Sequence, residues 1–316
     1  MRSPDGALDA ERPFHQSIRT AGRNSSFFKR VVRNRDAYLF LAPKLLVFCA
    51  LMLAPFLATL AMSFKAGGIL QTLKFVGLRN YANILHDSVF WVSIQNTLVY
   101  TAIVIAGSVV LSLLVASQLA GIGAGHSLFR ACIIFPALGS LVVVSAIWRM
   151  MLFPTTGIIP SLFSVLGLPP VNWFGDQNLA LVTVAVVDTW WGVGFYSMIF
   201  LAALRAVPNE LYDSAKIDGA GKVRTFFQIS LPLIRPSVVF VLVMATIWNL
   251  QAFDLVYTMT HGGPGYSTTT IVYYIYQKAF RIDDMGRAAT MSVAILIIVF
   301  AITLFQFRTF RTELEY

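Results

Sequence analysis

Six long apolar runs decide which folds are open to this sequence. A helix that crosses a membrane needs about 20 mainly apolar residues. The runs that meet this requirement cover residues 38–64, 91–119, 131–153, 179–204, 237–259 and 288–307. Because lipid offers no hydrogen-bond partners to the backbone, a spanning segment must be a helix or part of a closed barrel. The sequence therefore predicts an all-α integral membrane protein with six transmembrane helices.

The composition agrees with a membrane chain and argues against two other classes. Only 12% of the residues are charged and 57% are hydrophobic, whereas soluble domains carry about 25% charged residues. Cys49 and Cys132 both lie in apolar runs, where they offer neither a disulfide framework nor metal-ligand spacing. The net charge of +9 comes with no RNA-binding signature. We therefore expect no nucleic-acid partner and no bound metal.

The positive charges indicate how the chain is oriented in the membrane. With the N-terminus inside, the cytoplasmic segments hold sixteen Lys and Arg residues and the outer segments hold seven. Because cytoplasmic loops carry the excess of Lys and Arg, both termini are predicted to be cytoplasmic. Residues 1–37 then form a basic tail, 205–236 a cytoplasmic loop and 308–316 a second tail. A cleavable signal peptide that includes the first run stays open as an alternative.

The cytoplasmic loop contains one long charged segment, residues 209–236, between two apolar runs. Its first part, 209–220, is predicted to be helical. Asn209 is the expected N-cap, because short polar side chains there accept hydrogen bonds from free backbone N–H groups. Glu210 and Asp213 place negative charge in the first turn, where the helix dipole favours it.

Two glycines divide this segment. Gly219 and Gly221 are predicted to end the first helix, and a second helical stretch is predicted over residues 222–229. A helix–turn–helix of this kind presents apolar and charged side chains to the cytoplasm, which favours docking onto a partner protein. An amphipathic loop that lies on the inner leaflet is the open alternative.

Two acidic residues, Asp188 and Asp254, lie within the apolar runs. An ionisable side chain in a membrane span costs about 2.5–3.5 kcal/mol on insertion scales and is a functional candidate by default. Asp254 is nearer the outer end, where an interfacial role stays open. Aromatic and amide side chains surround the acids, and this combination suits the apolar ring faces and hydroxyls of sugars. The predicted solute-pathway residues are Asp188, Trp191, Gly192, Trp248, Asn249, Gln251 and Asp254.

The charged loop resembles the cytoplasmic "EAA" loop of permease subunits from binding-protein-dependent ABC importers. The carbohydrate branch of that family reads P-x-x-L-Y-E-A-A-x-I-D-G-A before an L-P-x-x-x-P ending. The residues in register are Pro208, Leu211, Tyr212, Ala215, Ile217, Asp218, Gly219, Ala220, Leu231, Pro232 and Pro236. Asp213 replaces the usual Glu, and Ser214 replaces an Ala. Further motifs, such as FVGLRNY at 75–81, extend the resemblance over about residues 38–307.

This resemblance implies a type I ABC importer permease fold in the shorter six-span form. The loop would be a coupling helix that contacts an ATPase subunit through Glu210, Asp213, Ser214, Ala215, Asp218, Gly219, Ala220, Leu231 and Pro232. The implied partners are a second permease, two ATP-binding subunits and an extracytoplasmic solute-binding protein, in a bacterial or archaeal cytoplasmic membrane. ATP and Mg would be used by the ATPase subunits, so this chain is expected to bind no cofactor and to be no enzyme.

Similarity to the maltose-importer permease implies which positions contact the solute. Those positions are Asp188, Gly192, Trp248 and Asn249. Ala137, Leu141 and Ala252 stand where that permease has polar residues, which argues against maltose itself. The acids in the predicted pathway favour a neutral or amine-bearing sugar over a phosphate ester. Glycerol-3-phosphate or another polar solute stays open.

Two other classes of function stay open at this point. A stand-alone secondary transporter predicts internal repeats or discontinuous spans with an ion site, and the two halves show no clear repeat. An integral-membrane enzyme would need a catalytic cluster. The chain has no H-E-x-x-H or G-x-S-x-G motif, and its four histidines are scattered.

Overall fold

The structure is a computed structural model that describes residues 35–69, 72–120 and 127–310. Compactness divides the chain into two units, 1–56 and 57–316. In the described part of the first unit, helix α1 (Arg35–Phe48) continues into a π-helical turn at Cys49–Leu53. The predicted tail 1–37 lies outside the described residues, except for its last three residues, which belong to α1.

The described part of the second unit is helical except for one small hairpin. In that hairpin β1 (Lys65–Ala66) pairs antiparallel with β2 (Lys74–Phe75). The helix that leads into it, α2 (Ala54–Met62), begins in the first unit. The remaining helices are α3 (Arg79–Leu85), α4 (Ser88–Ala120), α5 (Ser127–Leu138), α6 (Leu141–Met151), α7 (Ile158–Val165), α8 (Gln177–Arg205), α9 (Asn209–Ile217), α10 (Lys222–Thr225), α11 (Leu231–Leu233), α12 (Arg235–Asn249), α13 (Ile271–Tyr276) and α14 (Met285–Thr309).

The predicted all-α membrane class is confirmed. Among the described residues, four helical segments are long and apolar enough to cross a membrane, namely Leu39–Met62, α4, α8 and α14. The number rises to six if each of two bent helix pairs counts as one span. Of the predicted C-terminal tail, residues 308 and 309 continue α14, and 311–316 lie outside the described residues.

The predicted third and fifth spans are not continuous helices. In the third, α5 and α6 meet at an angle of 97°, directly after Pro136 and Gly139, two residues that interrupt helices. In the fifth, α12 ends at Asn249 and helical structure resumes only at Asp254. A broken helix inside a membrane requires other partners for its backbone groups. The hydroxyl of Thr270 supplies one, because it donates to the carbonyl oxygen of Ala252 at 2.8 Å.

Small side chains allow α4, α5 and α8 to pack closely. A Cβ atom on Gly107 of α4 would lie 2.8 Å from Cγ2 of Thr189 on α8. A Cβ atom on Gly194 would lie 2.6 Å from the carbonyl oxygen of Ile133 on α5. Membrane helices associate through such small residues because lipid provides no hydrophobic driving force between helices. The glycines therefore fix how near α8 lies to its neighbours.

On the predicted outer side, Asp87 ties the start of α4 to α13. Its Oδ2 accepts a hydrogen bond from the hydroxyl of Tyr274 at 2.7 Å and lies 3.5 Å from Nζ of Lys278. Its Oδ1 accepts from the backbone N–H groups of Val89 and Phe90. Burial alone would raise the pKa of Asp87, but these hydrogen bonds and the lysine charge outweigh it and lower the pKa below 3.8. The carboxylate is therefore charged and bonded at neutral pH.

Candidate solute pathway and coupling loop

A cavity lies between α8 and the break that follows α12. Its volume is about 60 Å³, which is room for a few water molecules and far below the roughly 300–1,000 Å³ of ligand pockets. Its lining includes every residue predicted for the solute pathway, namely Asp188, Trp191, Gly192, Trp248, Asn249, Gln251 and Asp254. Leu141 and Ala252 line it as well, whereas Ala137 instead lies against Gly194.

Asp188 is held by a tyrosine that the sequence analysis did not single out. The hydroxyl of Tyr100 on α4 donates to Oδ2 of Asp188 on α8 at 2.6 Å. Tyr100 is fully buried and Asp188 is 8% exposed. A hydrogen bond to an ionised group in such surroundings is short and strong. It fixes the orientation of the carboxyl group at the wall of the cavity.

The two amide side chains of the cavity both donate to their own helical segment. Nδ2 of Asn249 donates to the carbonyl oxygen of Ala245 at 2.8 Å. Nε2 of Gln251 donates to the carbonyl oxygen of Ile247 at 3.1 Å. Because these bonds orient each amide through its nitrogen, the side-chain oxygens are left as acceptors. Together with the two acids, they make this wall rich in hydrogen-bond acceptors.

Three aromatic rings pack edge to face beside the cavity. The centroid of Trp248 lies 6.3 Å from that of Trp191 and 6.3 Å from that of Phe195. Nε1 of Trp191 donates to the carbonyl oxygen of Gly139 at 3.3 Å, at the break between α5 and α6. Half-exposed Trp248 thus offers an aromatic face next to polar groups, an arrangement that suits the apolar face of a sugar ring.

The start of the coupling loop differs from the prediction. Pro208, with φ of −57° and ψ of 135°, occupies the N-cap position, and Asn209 is the first residue of α9. Asn209 as N-cap is therefore wrong, because the extended conformation that proline favours already provides the turn into the helix. The second predicted stretch, 222–229, is α10 followed by a π-helical turn at Phe226–Ser230.

A Schellman motif ends α9, three residues before the predicted end. The N–H of Ala220 donates to the carbonyl oxygen of Ala215 at 2.8 Å, and the N–H of Gly219 donates to that of Lys216 at 3.1 Å. Gly219, which donates the second of these bonds, has φ of +73°. That left-handed conformation favours glycine, so the predicted role of Gly219 as a helix terminator is confirmed.

Most of the predicted coupling residues lie on an exposed surface. The exposed residues among them are Glu210, Asp213, Ser214, Asp218, Gly219 and Pro232. Ala220 and Leu231 are half-buried, and Ala215 is buried. The surface also presents Ile217, which is 87% exposed. Asp213 pairs with Lys216 at 2.8 Å, but both side chains face solvent, so this ion pair contributes little to stability.

Comparisons with known proteins decide the family. Residues 119–310 match the model of the "binding-protein-dependent transport system inner membrane component" family. The chain belongs to this family. It is 31% identical to the probable ABC transporter permease YurN of Bacillus subtilis, an alignment that covers 88% of this chain and 97% of that protein. It is 32% identical to the lactose permease LacF of Rhizobium radiobacter, over 86% of this chain and 93% of that protein.

Structural comparison supports the same fold. A bacterial ABC transporter that imports alginate contains a chain that superposes with a TM-score of 0.81, over 91% of this chain and 99% of that one, at 22% identity. This chain is thus a membrane-embedded ABC importer permease of the carbohydrate-uptake branch and is not itself catalytic. Its discontinuous spans are a feature expected of secondary transporters, but the family match excludes that class.

Two cavity-side residues of this permease escaped the sequence analysis, Tyr100 and Ser108. Both lie on α4, where hydroxyl and small side chains recur every three or four residues on the buried face. This spacing marks one helix face, and it was the signal that could have found them. The buried small and hydroxyl-bearing residues of α4 are Ser93, Thr97, Tyr100, Thr101, Ser108, Ser112 and Ala116.

Proposed function

We propose that this chain moves a sugar or oligosaccharide across the inner membrane as one permease of an ATP-driven importer. An extracytoplasmic binding protein would deliver the solute, a second permease would complete the pathway, and two ATP-binding subunits would hydrolyse ATP with Mg. Relatives named for lactose, trehalose/maltose and arabinooligosaccharide transport support a carbohydrate solute. Relatives named for sn-glycerol-3-phosphate make that solute the main alternative.

One observation carries the coupling part of this proposal. The loop from Ala206 to Ile234 continues directly from the end of α8 and leads directly into the start of α12. These two helices also carry cavity-lining residues, Asp188 on α8 and Asn249 on α12 among them. A displacement of the loop therefore acts directly on both walls of the cavity. This explains how an ATPase that contacts only the loop can change access to the solute site.

The exposed surface of the coupling loop is the proposed contact with the ATPase subunit. The proposed coupling residues, which lie on α9, on the turn that follows it and on α11, are Glu210, Asp213, Ser214, Ala215, Asp218, Gly219, Ala220, Leu231 and Pro232. Ile217 adds an apolar side chain that is 87% exposed, and burying such a side chain against a groove stabilises a complex. Buried Ala215 supports the helix from within rather than touching the partner.

A cysteine cross-linking experiment tests this contact and the orientation together. Ile217→Cys would be introduced into a chain that lacks Cys49 and Cys132, and the full importer would be treated with a short bifunctional maleimide. We expect a cross-linked product with an ATPase subunit carrying a cysteine in its permease-facing groove. Phe75→Cys is the matched control, because Phe75 is also largely exposed but lies on the predicted outer side.

The same pair of variants reports the position of the termini. With both termini cytoplasmic, a membrane-impermeant maleimide added to intact cells should label Phe75→Cys and not Ile217→Cys. Labelling of Ile217→Cys from outside would overturn the orientation. Failure of ATPase subunits to copurify with the chain would overturn the importer assembly.

A further inference from the structure

The cavity contains two carboxylates and no basic residue. Asp188 and Asp254 both line it, and none of the described lining residues is Lys, Arg or His. No ion pair within the described part of the chain includes either acid. Asp188 is buried and Asp254 is half-buried, and negative charge held there without a positive partner is unfavourable, because desolvation of a charge must be offset by pairing. The site therefore lacks one component, a cation.

A second and independent observation comes from Ser108. It is fully buried, it lines the same cavity, and its Oγ has no hydrogen-bond partner among the described residues. Buried hydroxyl groups almost always have a partner. Opposite it on α8, Gly192 keeps the wall open, since a Cβ atom there would lie 3.2 Å from Oγ of Ser108. The unpaired hydroxyl of Ser108 thus lies at the cavity, where a group of the solute can form a hydrogen bond with it.

The remaining polar groups of the cavity indicate the chemistry of that missing partner. The amides of Asn249 and Gln251 donate to backbone carbonyls and leave their oxygens as acceptors. The hydroxyl of Tyr100 already donates a hydrogen bond to Asp188. A wall of carboxylate and amide oxygens repels phosphate or carboxylate groups and accepts hydrogen bonds from a donor. The volume of about 60 Å³ holds a small group rather than a whole sugar ring.

We propose that this permease translocates an amine-bearing sugar, whose ammonium group passes between Asp188 and Asp254 while a neighbouring hydroxyl bonds Ser108. This inference rests on the proposed function and narrows its solute class. An ammonium group supplies the missing positive charge together with three hydrogen-bond donors for the acceptor-rich wall. A neutral sugar would satisfy only the hydrogen bonds.

The test uses two disaccharides that differ only in charge-bearing groups, chitobiose with free amines and cellobiose with hydroxyls in their place. Binding of each radiolabelled sugar is measured on the purified full importer, and ATP-driven uptake is measured in vesicles with the binding protein present. We expect binding of chitobiose about tenfold tighter or more than that of cellobiose, because loss of one partner of a buried charge pair has at least this effect. Raising the pH until the amine is neutral should abolish the preference.

Matched variants separate charge from shape. Asp188→Asn and Asp254→Asn should each remove the preference for chitobiose over cellobiose, because the amide keeps the shape of the side chain without the charge. Asp176→Asn is the control on the same helix. Asp176 accepts backbone hydrogen bonds at the start of α8, outside the cavity, and Asn is an equally good N-cap. Ser108→Ala should weaken binding of chitobiose without lowering the thermal stability of the complex.

Equal binding of the two sugars, no binding of chitobiose at millimolar concentration, or unchanged preference in both Asn variants would overturn the inference. ATP hydrolysis by the same preparation, stimulated by the binding protein, reports the proposed function separately. If that stimulation is present while the preference is absent, only the amine-bearing solute is wrong. If no ATPase assembles with the chain, the proposed function itself fails.

Discussion

Gly219 offers a test of whether the shape of the coupling loop matters for transport. Its φ of +73° is one that L-residues adopt only at a cost, and a Cβ atom added there would meet nothing within 4 Å. Gly219→Ala therefore introduces backbone strain without a steric clash. Gly221→Ala is the matched control, because Gly221 is two residues away, has equally open space, and adopts φ of −70°.

The size of the effect follows from the conformation alone. The left-handed region costs a non-glycine residue about 1–2 kcal/mol. That corresponds to a roughly 5–30-fold shift in an equilibrium, here between the Schellman ending of α9 and a frayed one. At Gly221, the N-cap of α10, alanine meets no backbone strain and loses only the capping preference of glycine. Gly219→Ala should therefore destabilise the loop more than Gly221→Ala.

The assay is ATP hydrolysis by the full importer in vesicles, stimulated by loaded binding protein, together with the solute moved per ATP. We expect Gly219→Ala to reduce both quantities and Gly221→Ala to leave them near the wild-type level. Gly219→Asn should restore part of the loss, because Asn tolerates the left-handed conformation. Equal behaviour of the two alanine variants, or no rescue by Asn, would refute the argument that the motif at Gly219 transmits the movement.

Three further predictions concern the transmembrane and outer parts. Tyr100→Phe should cost about 1.5–3 kcal/mol of unfolding free energy in thermal unfolding of the solubilised complex. Its control is Tyr196→Phe, because that hydroxyl makes no hydrogen bond within the described residues. Gly194→Ala should reduce the yield of folded complex in size-exclusion chromatography more than Gly139→Ala, whose Cβ atom would meet nothing nearer than 3.4 Å. Because the pKa of Asp87 is lowered below 3.8, its stabilisation is present at neutral pH and lost as the pH falls through that lowered value. After correction for the pH dependence of the intrinsic exchange rate, the protection of the segments around Asp87 and Tyr274 from hydrogen exchange should therefore fall in acid for wild type, and Asp87→Asn should show reduced protection already at neutral pH.

Sequence reasoning succeeded where a single physical requirement acts on the chain. Lipid demands apolar residues at every turn of a span, so the positions of α4, α8 and α14 could be predicted within a few residues. It also makes acids and amides costly, so Asp188 and its polar neighbours stood out against their surroundings. These residues meet in one cavity because α8 and the end of α12 each carry a short polar stretch that lines it.

The breaks in the third and fifth spans were not predictable to the same degree. Pro136 and Gly139 were a visible signal for the first break, because both residues interrupt helices. The second follows Asn249 with no proline or glycine in the stretch 250–253. It depends on a partner 18 residues further along, since Thr270 satisfies the freed carbonyl of Ala252. The sequence of residues 250–253 alone does not reveal this tertiary contact with Thr270.

The break in the fifth span explains how a rigid connection to the loop can still open the cavity. Asp188 and Arg205 lie on one unbroken helix, 17 residues apart, which is about 25 Å at 1.5 Å per residue. Arg235 and Asn249 are separated in the same way by about 21 Å. A tilt of about 10° that begins at the loop would thus move Asp188 by about 4 Å. Because α12 ends at the cavity, its last residues can follow that tilt while the segment beyond Phe253 keeps its position. The helices between loop and cavity must be stiff, which the unbroken α8 and α12 provide, and the backbone beyond one of them must bend, which the break at 250–253 provides.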